Sequence, residues 1–213
     1  MRIAVLGGSG MIGSAIVTEA HDRGHEVTAV SRSIAADARS GVTAQQTDVS
    51  DRTALRTIIA DHDTIVSATV PDRSEGGDHV PYLATIKHLL DDLDGRMLLV
   101  VGGFGSLLQP NGEEQRDRPG GSVGKYRREA ATVAAGLAYI RANGGDRRWT
   151  YLCPPFMIKP SERTGTYAVG DDHPVGTEIS TQDFAVAVLD ELEHPAHLGR
   201  RFTVAGVETE QSQ

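Results

Sequence analysis

The sequence predicts an α/β protein in which a doubly wound parallel sheet lies between two helical layers, a three-layer α/β/α sandwich. Three observations carry that expectation. Short β-rich apolar runs alternate with helical segments from one end of the chain to the other. The central runs are almost unbroken in apolar residues, as strands buried on both faces are. A glycine cluster, Gly7-Gly8-Ser9-Gly10-Met11-Ile12-Gly13, falls at the first strand–helix junction. Parallel strands need right-handed crossovers, so helices on both faces of one sheet are the simplest topology.

Taken in order, residues 3–6 form the first strand and 11–23 the helix after the glycine turn, which Gly24 stops. Residues 25–31, with their Val and Thr, are the second strand, and 42–47 a weaker third. Asp51 caps a helix over 52–60. A fourth strand over 63–69, a helix over 79–93 and a strongly apolar fifth strand over 96–101 follow. A long helix over 123–143 ends at Gly144-Gly145, before a sixth strand over 148–153, a helix over 181–193 and a last strand over 201–205. Two long connections, 102–124 and 154–177, are rich in Gly, Pro and charge. Each follows the carboxyl end of a strand, the edge on which open parallel sheets bind ligands. One domain over 1–213 is expected, with a small substrate-side region built from 102–124 and 154–180.

Composition narrows the function. Of 213 residues, 39% are hydrophobic and 23% charged, and the formal net charge of −8 argues against a nucleic-acid surface. Lys125, Arg127 and Arg128 make a modest basic cluster that fits a solvated helix face or a phosphate or substrate contact. The single cysteine, Cys153, excludes an intrachain disulfide and argues against structural zinc, so no metal is expected. It sits in an apolar run before Pro154-Pro155 and reads as core. Residues 1–6 are too short an apolar run for a signal peptide and end in glycines. The longest apolar stretch, around 97–108, is broken by glycines and falls short of the roughly 20 residues that span a bilayer. These features predict a cytoplasmic monomer or small homo-oligomer with a small-molecule substrate, and neither nucleic acid nor membrane as partner.

The chemistry begins at the glycine turn. Gly7-x-x-Gly10-x-x-Gly13 follows a strand and opens a helix, the context of a Rossmann-type dinucleotide site. The first glycine permits the tight turn, the second lets backbone N–H groups approach a pyrophosphate, and the third lets helix and strand pack closely. The helix N-terminus at Met11 and Ile12 offers unpaired N–H donors to the anion, and Ser9 can add a hydroxyl. The end of the second strand selects the nucleotide. An NAD site places an acid there for the ribose 2′-hydroxyl. This chain has Ser31-Arg32-Ser33, and a guanidinium suits a 2′-phosphate, so NADP(H) is expected over NAD(H). Asp48 and Val49 follow the third strand where a side chain can meet an adenine ring, although Asp48 fits equally as a helix-start residue. Ala68, Thr69 and Val70 end the fourth strand, where small side chains let the cofactor cross the sheet edge.

With these motifs the chain resembles the atypical short-chain dehydrogenase/reductase superfamily. More narrowly it resembles the NAD(P)H-binding, NmrA-like branch that includes biliverdin/flavin reductases and NADH-flavin reductases. The glycine turn carries the likeness together with Gly102-Gly103-Phe104-Gly105-Ser106-Leu107, Trp149-Thr150-Tyr151-Leu152-Cys153-Pro154-Pro155 and Glu162-Arg163-Thr164-Gly165-Thr166-Tyr167. It implies that Gly102 and Gly103 lie near the nicotinamide ribose, Pro154, Pro155 and Phe156 beside the nicotinamide ring, and Ser106 in the substrate cleft.

One departure from the superfamily matters. Its typical members catalyse with Tyr-x-x-x-Lys, the lysine easing proton transfer from the phenol. None of Tyr82, Tyr126, Tyr139, Tyr151 and Tyr167 is followed four residues later by lysine. Tyr126, opening the long helix, remains the catalytic candidate beside Ser106, and it also fits as plain packing. The resemblance then implies NADP(H)-dependent hydride transfer to a flavin, quinone or similar conjugated acceptor that takes its proton from solvent. Phe104, Phe156 and Met157 are candidates to line its cleft. The alternatives are a non-catalytic NADP(H) sensor and, disfavoured by the missing tyrosine–lysine pair and the short region after the sixth strand, a sugar-nucleotide epimerase or dehydratase.

Overall fold

Each apolar run of the sequence becomes a strand. The computed structural model describes residues 1–36, 39–119 and 125–207. Its strands are β1 (Arg2–Leu6), β2 (Glu26–Ser31), β3 (Val42–Gln46), β4 (Thr64–Ser67), β5 (Met97–Val101), β6 (Trp149–Cys153), β7 (Met157–Lys159), β8 (Tyr167–Gly170), β9 (Glu178–Ser180) and β10 (Arg200–Gly206). The helices are α1 (Met11–Asp22), α2 (Arg52–Asp61), α3 (Val80–Asp91), α4 (Lys125–Asn143) and α5 (Thr181–Glu193).

The sheet runs β3-β2-β1-β4-β5-β6-β10-β8. Its neighbours are parallel, with Val5 opposite Ala29 and Val66, except that β8 joins β10 antiparallel through Val204 and Val169. The sheet is the doubly wound parallel one expected, with one antiparallel edge strand added. Segment 154–177, read as loop, holds β7 and β8, and β7 pairs with β9 in a separate two-stranded ribbon. These strands have only three or four residues and half-exposed faces, so no apolar run betrays them. Residues 120–124 of the other long connection, and with them the first two residues of the expected 123–143 helix, lie outside the described residues.

Side-chain alternation splits each strand between two cores. Ile3, Val5, Leu99 and Val101 face α1 and α5, while Ala4, Leu6, Leu98 and Val100 face α2, α3 and α4. The caps named from sequence do their work. Gly24, at φ 80°, ends α1 as its N–H reaches His21 O at 2.8 Å and the next reaches Ala20 O at 3.1 Å. The Asp51 carboxylate accepts from Thr53 N at 2.8 Å and opens α2. Among the described residues no helix is long and apolar enough to cross a membrane.

The chain runs outward from β1 to β3 in one direction and from β4 to β6 in the other. The reversal between β1 and β4 is the switch point at which such sheets open a crevice beyond the carboxyl ends of their strands.

Candidate functional site

The glycine turn lies at that switch point. Gly7 N and Gly8 N both donate to Val30 O, at 2.9 and 3.1 Å, so the turn is fastened to the end of β2. The glycines are there for different reasons. Gly7 has φ +83°, and a Cβ on it would sit 2.6 Å from Ala68 O. A Cβ on Gly13 would lie 2.1 Å from Gly7 O, so close helix–strand packing forbids one. At Gly10 the backbone is ordinary, φ −77°, and the nearest atom to a Cβ is Gly7 O at 3.2 Å. Packing thus demands glycine at 7 and 13, and at 10 it leaves a Cβ a tight contact with one backbone oxygen. Gly10 also stands at the N-cap of α1, a position that favours glycine over alanine.

No side chain caps α1 at Gly10. The first intrahelical bond runs from Ser14 N to Gly10 O at 2.8 Å, which leaves the N–H groups of Met11, Ile12 and Gly13 without a helical acceptor. A bare turn under an uncapped helix N-terminus fits the pyrophosphate of a dinucleotide.

The turn continues sideways. Ser9 Oγ and Ser31 Oγ are 2.7 Å apart, linking the turn to the residue before Arg32. Arg32, Gln46, Thr47 and Asp48 line an open polar depression beyond β2 and β3. The backbone N–H and hydroxyl of Ser50 hold the Asp48 carboxyl below its usual range, helped by the Arg32 charge. That charge also reaches Asp72 in the loop after β4. Arg32 and Ser33 are exposed, whereas Val49 is half-buried against the α2–α4 core. At the end of β4, Ala68 N bonds to Leu6 O at 2.8 Å, Ser67 Oγ and Thr69 Oγ1 are 3.1 Å apart, and Val70 is exposed.

On the other side of the crevice, Gly102 and Gly103 part company as the first turn's glycines do. A Cβ on Gly102 would overlap the Tyr151 ring at 2.1 Å, so packing dictates that glycine, while at Gly103 it would meet only a Val133 methyl at 3.5 Å. Ser106 corrects an expectation. The short 3-10 turn Phe104–Ser106 rolls its side chain inward, 1% exposed, to donate to Gly103 O at 2.9 Å beside Cys153 Sγ at 3.4 Å. It does not face an open cleft. Burial pushes the Cys153 thiol up to about 11, and the residue is core, not a nucleophile.

What does face outward is aromatic. Pro154 and Pro155 are buried, but Phe156 is 70% exposed and meets the Phe104 ring edge-on, centroids 5.5 Å apart at 78°. Met157 is exposed beside it. Tyr126 is exposed in the first turn of α4, where Glu129 accepts two bonds from Arg73 of the β4–α3 loop, at 2.6 and 2.8 Å.

Sequence reasoning missed the charged anchors of this region. Glu19, on the buried face of α1, accepts from Arg163 through both oxygens at 2.8 Å and from Arg23 at 2.8 Å. Thr164 N and Gly165 N donate to Asp183 of α5 at 2.8 Å, and Tyr167 OH donates to Asp190 at 2.6 Å. The run Glu162-Arg163-Thr164-Gly165-Thr166-Tyr167 therefore ties the connection between β7 and β8 to α1 and α5. A glutamate amid the apolar positions Ile16, Val17 and Ala20 was the signal that could have revealed it. Among the described residues no cluster of His, Cys, Asp or Glu is arranged to hold a metal.

Known proteins share this fold. A family model described as NAD(P)H-binding matches residues 7–195. YwnB of Bacillus subtilis is 35% identical over 212 residues, covering 96% of this chain and 98% of YwnB. A solved structure from Streptococcus pneumoniae, called a "putative NADH-flavin reductase", aligns with TM-score 0.80 at 27% identity, over 97% of this chain and 100% of that one. Another, from Bacteroides thetaiotaomicron and called a "putative epimerase", aligns with TM-score 0.83 at 30% identity, over 98% of each chain.

Proposed function

The chain belongs to the NAD(P)H-binding family, and from that premise we propose that it is an NADP(H)-dependent oxidoreductase reducing a flavin, quinone or similar flat conjugated acceptor. The observation that carries the cofactor half is the uncapped N-terminus of α1 at Gly10, where a side chain is less obstructed than at Gly7 or Gly13. The N–H groups of Met11, Ile12 and Gly13 hold the pyrophosphate. Arg32, with the Ser9–Ser31 hydroxyl pair behind it and no acid at the end of β2, favours a 2′-phosphate over a bare ribose. The Streptococcus relative is named for NADH, so this preference is the chain's own feature to be tested.

The acceptor half rests on the exposed Phe156 braced by Phe104. When bound, the reduced nicotinamide supplies a hydride. The role of the protein is then to orient: Gly103 leaves room for a close approach, and Phe156 offers a flat apolar face to a conjugated ring. A conjugated acceptor takes its proton from solvent, so the absence of a tyrosine–lysine pair does not obstruct this chemistry. That absence weighs against alcohol–ketone and epimerase chemistry. The test is NADPH oxidation followed at saturating FMN, FAD and simple quinones. Turnover of at least one is expected, and rates equal to protein-free controls across the panel would overturn the reading.

A further inference from the structure

A buried charge lies beneath the acceptor face, and no motif singled it out. Arg201 stands on β10, 2% exposed, between strand neighbours that fill the core. Its guanidinium donates to the Ser106 carbonyl and, through Nε at 2.8 Å and Nη2, to the Asp172 carboxylate. Arg141 of α4 reaches the same carboxylate at 3.2 Å. The Asp172 carbonyl accepts from Leu108 N at 2.8 Å, and His173 Nδ1 lies 3.2 Å from Leu108 O. One buried cation thus fastens the turn after β5 to the loop after β8.

Stability alone is a poor reason for it, because burying a charge is costly and a well-packed apolar side chain would often serve as well. The turn that Arg201 holds carries Phe104, and the Phe104 ring props Phe156 edge-on. A continuous line of contacts runs from the guanidinium through the Ser106 carbonyl and the Phe104–Ser106 turn to the exposed aromatic. We propose that Arg201 is a positioning residue that sets the Phe104–Phe156 pair for the acceptor. The inference rests on the functional reading above and names what orients that acceptor. The phosphate turn hangs from β1 and β2, across β4, β5 and β6 from β10, so the effect of Arg201 is assigned to the acceptor rather than to pyrophosphate binding.

The experiment is a double-mutant cycle with Arg201→Met, Phe104→Leu and both together. It reads acceptor kcat and KM, NADPH affinity by calorimetry, and backbone amide exchange at Leu107 and Leu108 in the protein alone. Arg201→Met is expected to leave NADPH affinity unchanged, to speed exchange at both amides, and to lower acceptor kcat/KM about 10–100-fold, as small misplacements do. The double variant is expected to lose no more than the larger single loss. Additive losses, a matching fall in NADPH affinity, or an unchanged kcat/KM would each overturn the proposal. If Arg201→Met does not fold, Asp172→Asn, at a half-exposed side chain, enters the same cycle with the same expectations. A wild-type protein that turns over no acceptor sinks the functional reading and the acceptor role together. Unaltered exchange at Leu107 and Leu108, by contrast, sinks only the claim that Arg201 holds the turn.

Discussion

At the residue scale, the glycine turn separates what the fold needs from what a ligand needs. Gly13→Ala drives a Cβ into the Gly7 carbonyl and is expected to cost about 1–3 kcal/mol of stability, as overpacking does. Gly10→Ala meets one oxygen at 3.2 Å and is expected to change stability by under about 1 kcal/mol, the scale of a changed N-cap. On the proposed reading its dinucleotide affinity should nevertheless fall at least tenfold, about 1.4 kcal/mol, because the new methyl would stand between the turn and the pyrophosphate. Thermal melts and calorimetric titrations of the two variants check both halves, and undiminished binding by Gly10→Ala would remove the argument from that glycine. The same scale is where residue patterns misled. Spacing put Gly7, Gly10 and Gly13 at the junction of a first strand and a first helix, and the structure has them between β1 and the first turn of α1. Ser106 was placed in the cleft by resemblance alone, and a single 3-10 turn, invisible in the pattern, rolled it inward.

At the element scale, α1 carries more than the phosphate turn. Its buried Glu19 holds Arg163, and through it the segment leading to β8, so the long connection 154–177 is anchored on α1 and α5. Hydrogen bonds from the Arg163 and then the Arg23 guanidinium hold the Glu19 carboxyl below its ordinary value of 4.5 against the opposing pull of burial. A carboxylate depressed in the folded state stabilises the protein above its unfolded value, and that contribution is lost as pH falls through the folded one. Glu19→Gln is therefore expected to cost about 1–3 kcal/mol at pH 7, the range for hydrogen bonds to charged groups. The difference from wild type should shrink as the pH drops below about 4.5. Urea melts of both proteins at pH 7 and in acid measure it, and a gap that does not change with pH would show that the Glu19 charge is not what anchors the segment. Helices were legible because caps such as Asp51 and Gly24 and apolar periodicity mark them. Strands β7, β8 and β9 were not, because three- and four-residue strands in a two-stranded ribbon or at a sheet edge bury too little to leave a pattern.

At the scale of the whole molecule, sheet order does the work that no single motif can. Placing β1 between β2 and β4 sets the glycine turn at the switch point, the Arg32 depression on one flank and the Phe104–Phe156 pair on the other. That layout was readable in outline, since strand–helix alternation and the crossover rule dictate which ends of the strands share an edge. The buried charges Arg201 and Glu19, which fasten the substrate-side segments, were not, because their partners lie far away in sequence. The central claim is that this edge binds NADP(H) through the turn and Arg32. Calorimetric titration of the protein with NADPH and with NADH, repeated on Arg32→Glu, tests it most directly. The account predicts tighter binding of NADPH, with its affinity reduced about 10–100-fold and the preference abolished in Arg32→Glu, as losing a charged hydrogen-bonding partner implies. Equal binding of the two nucleotides by the wild-type protein would contradict the role of Arg32, and no binding of either would contradict the account as a whole.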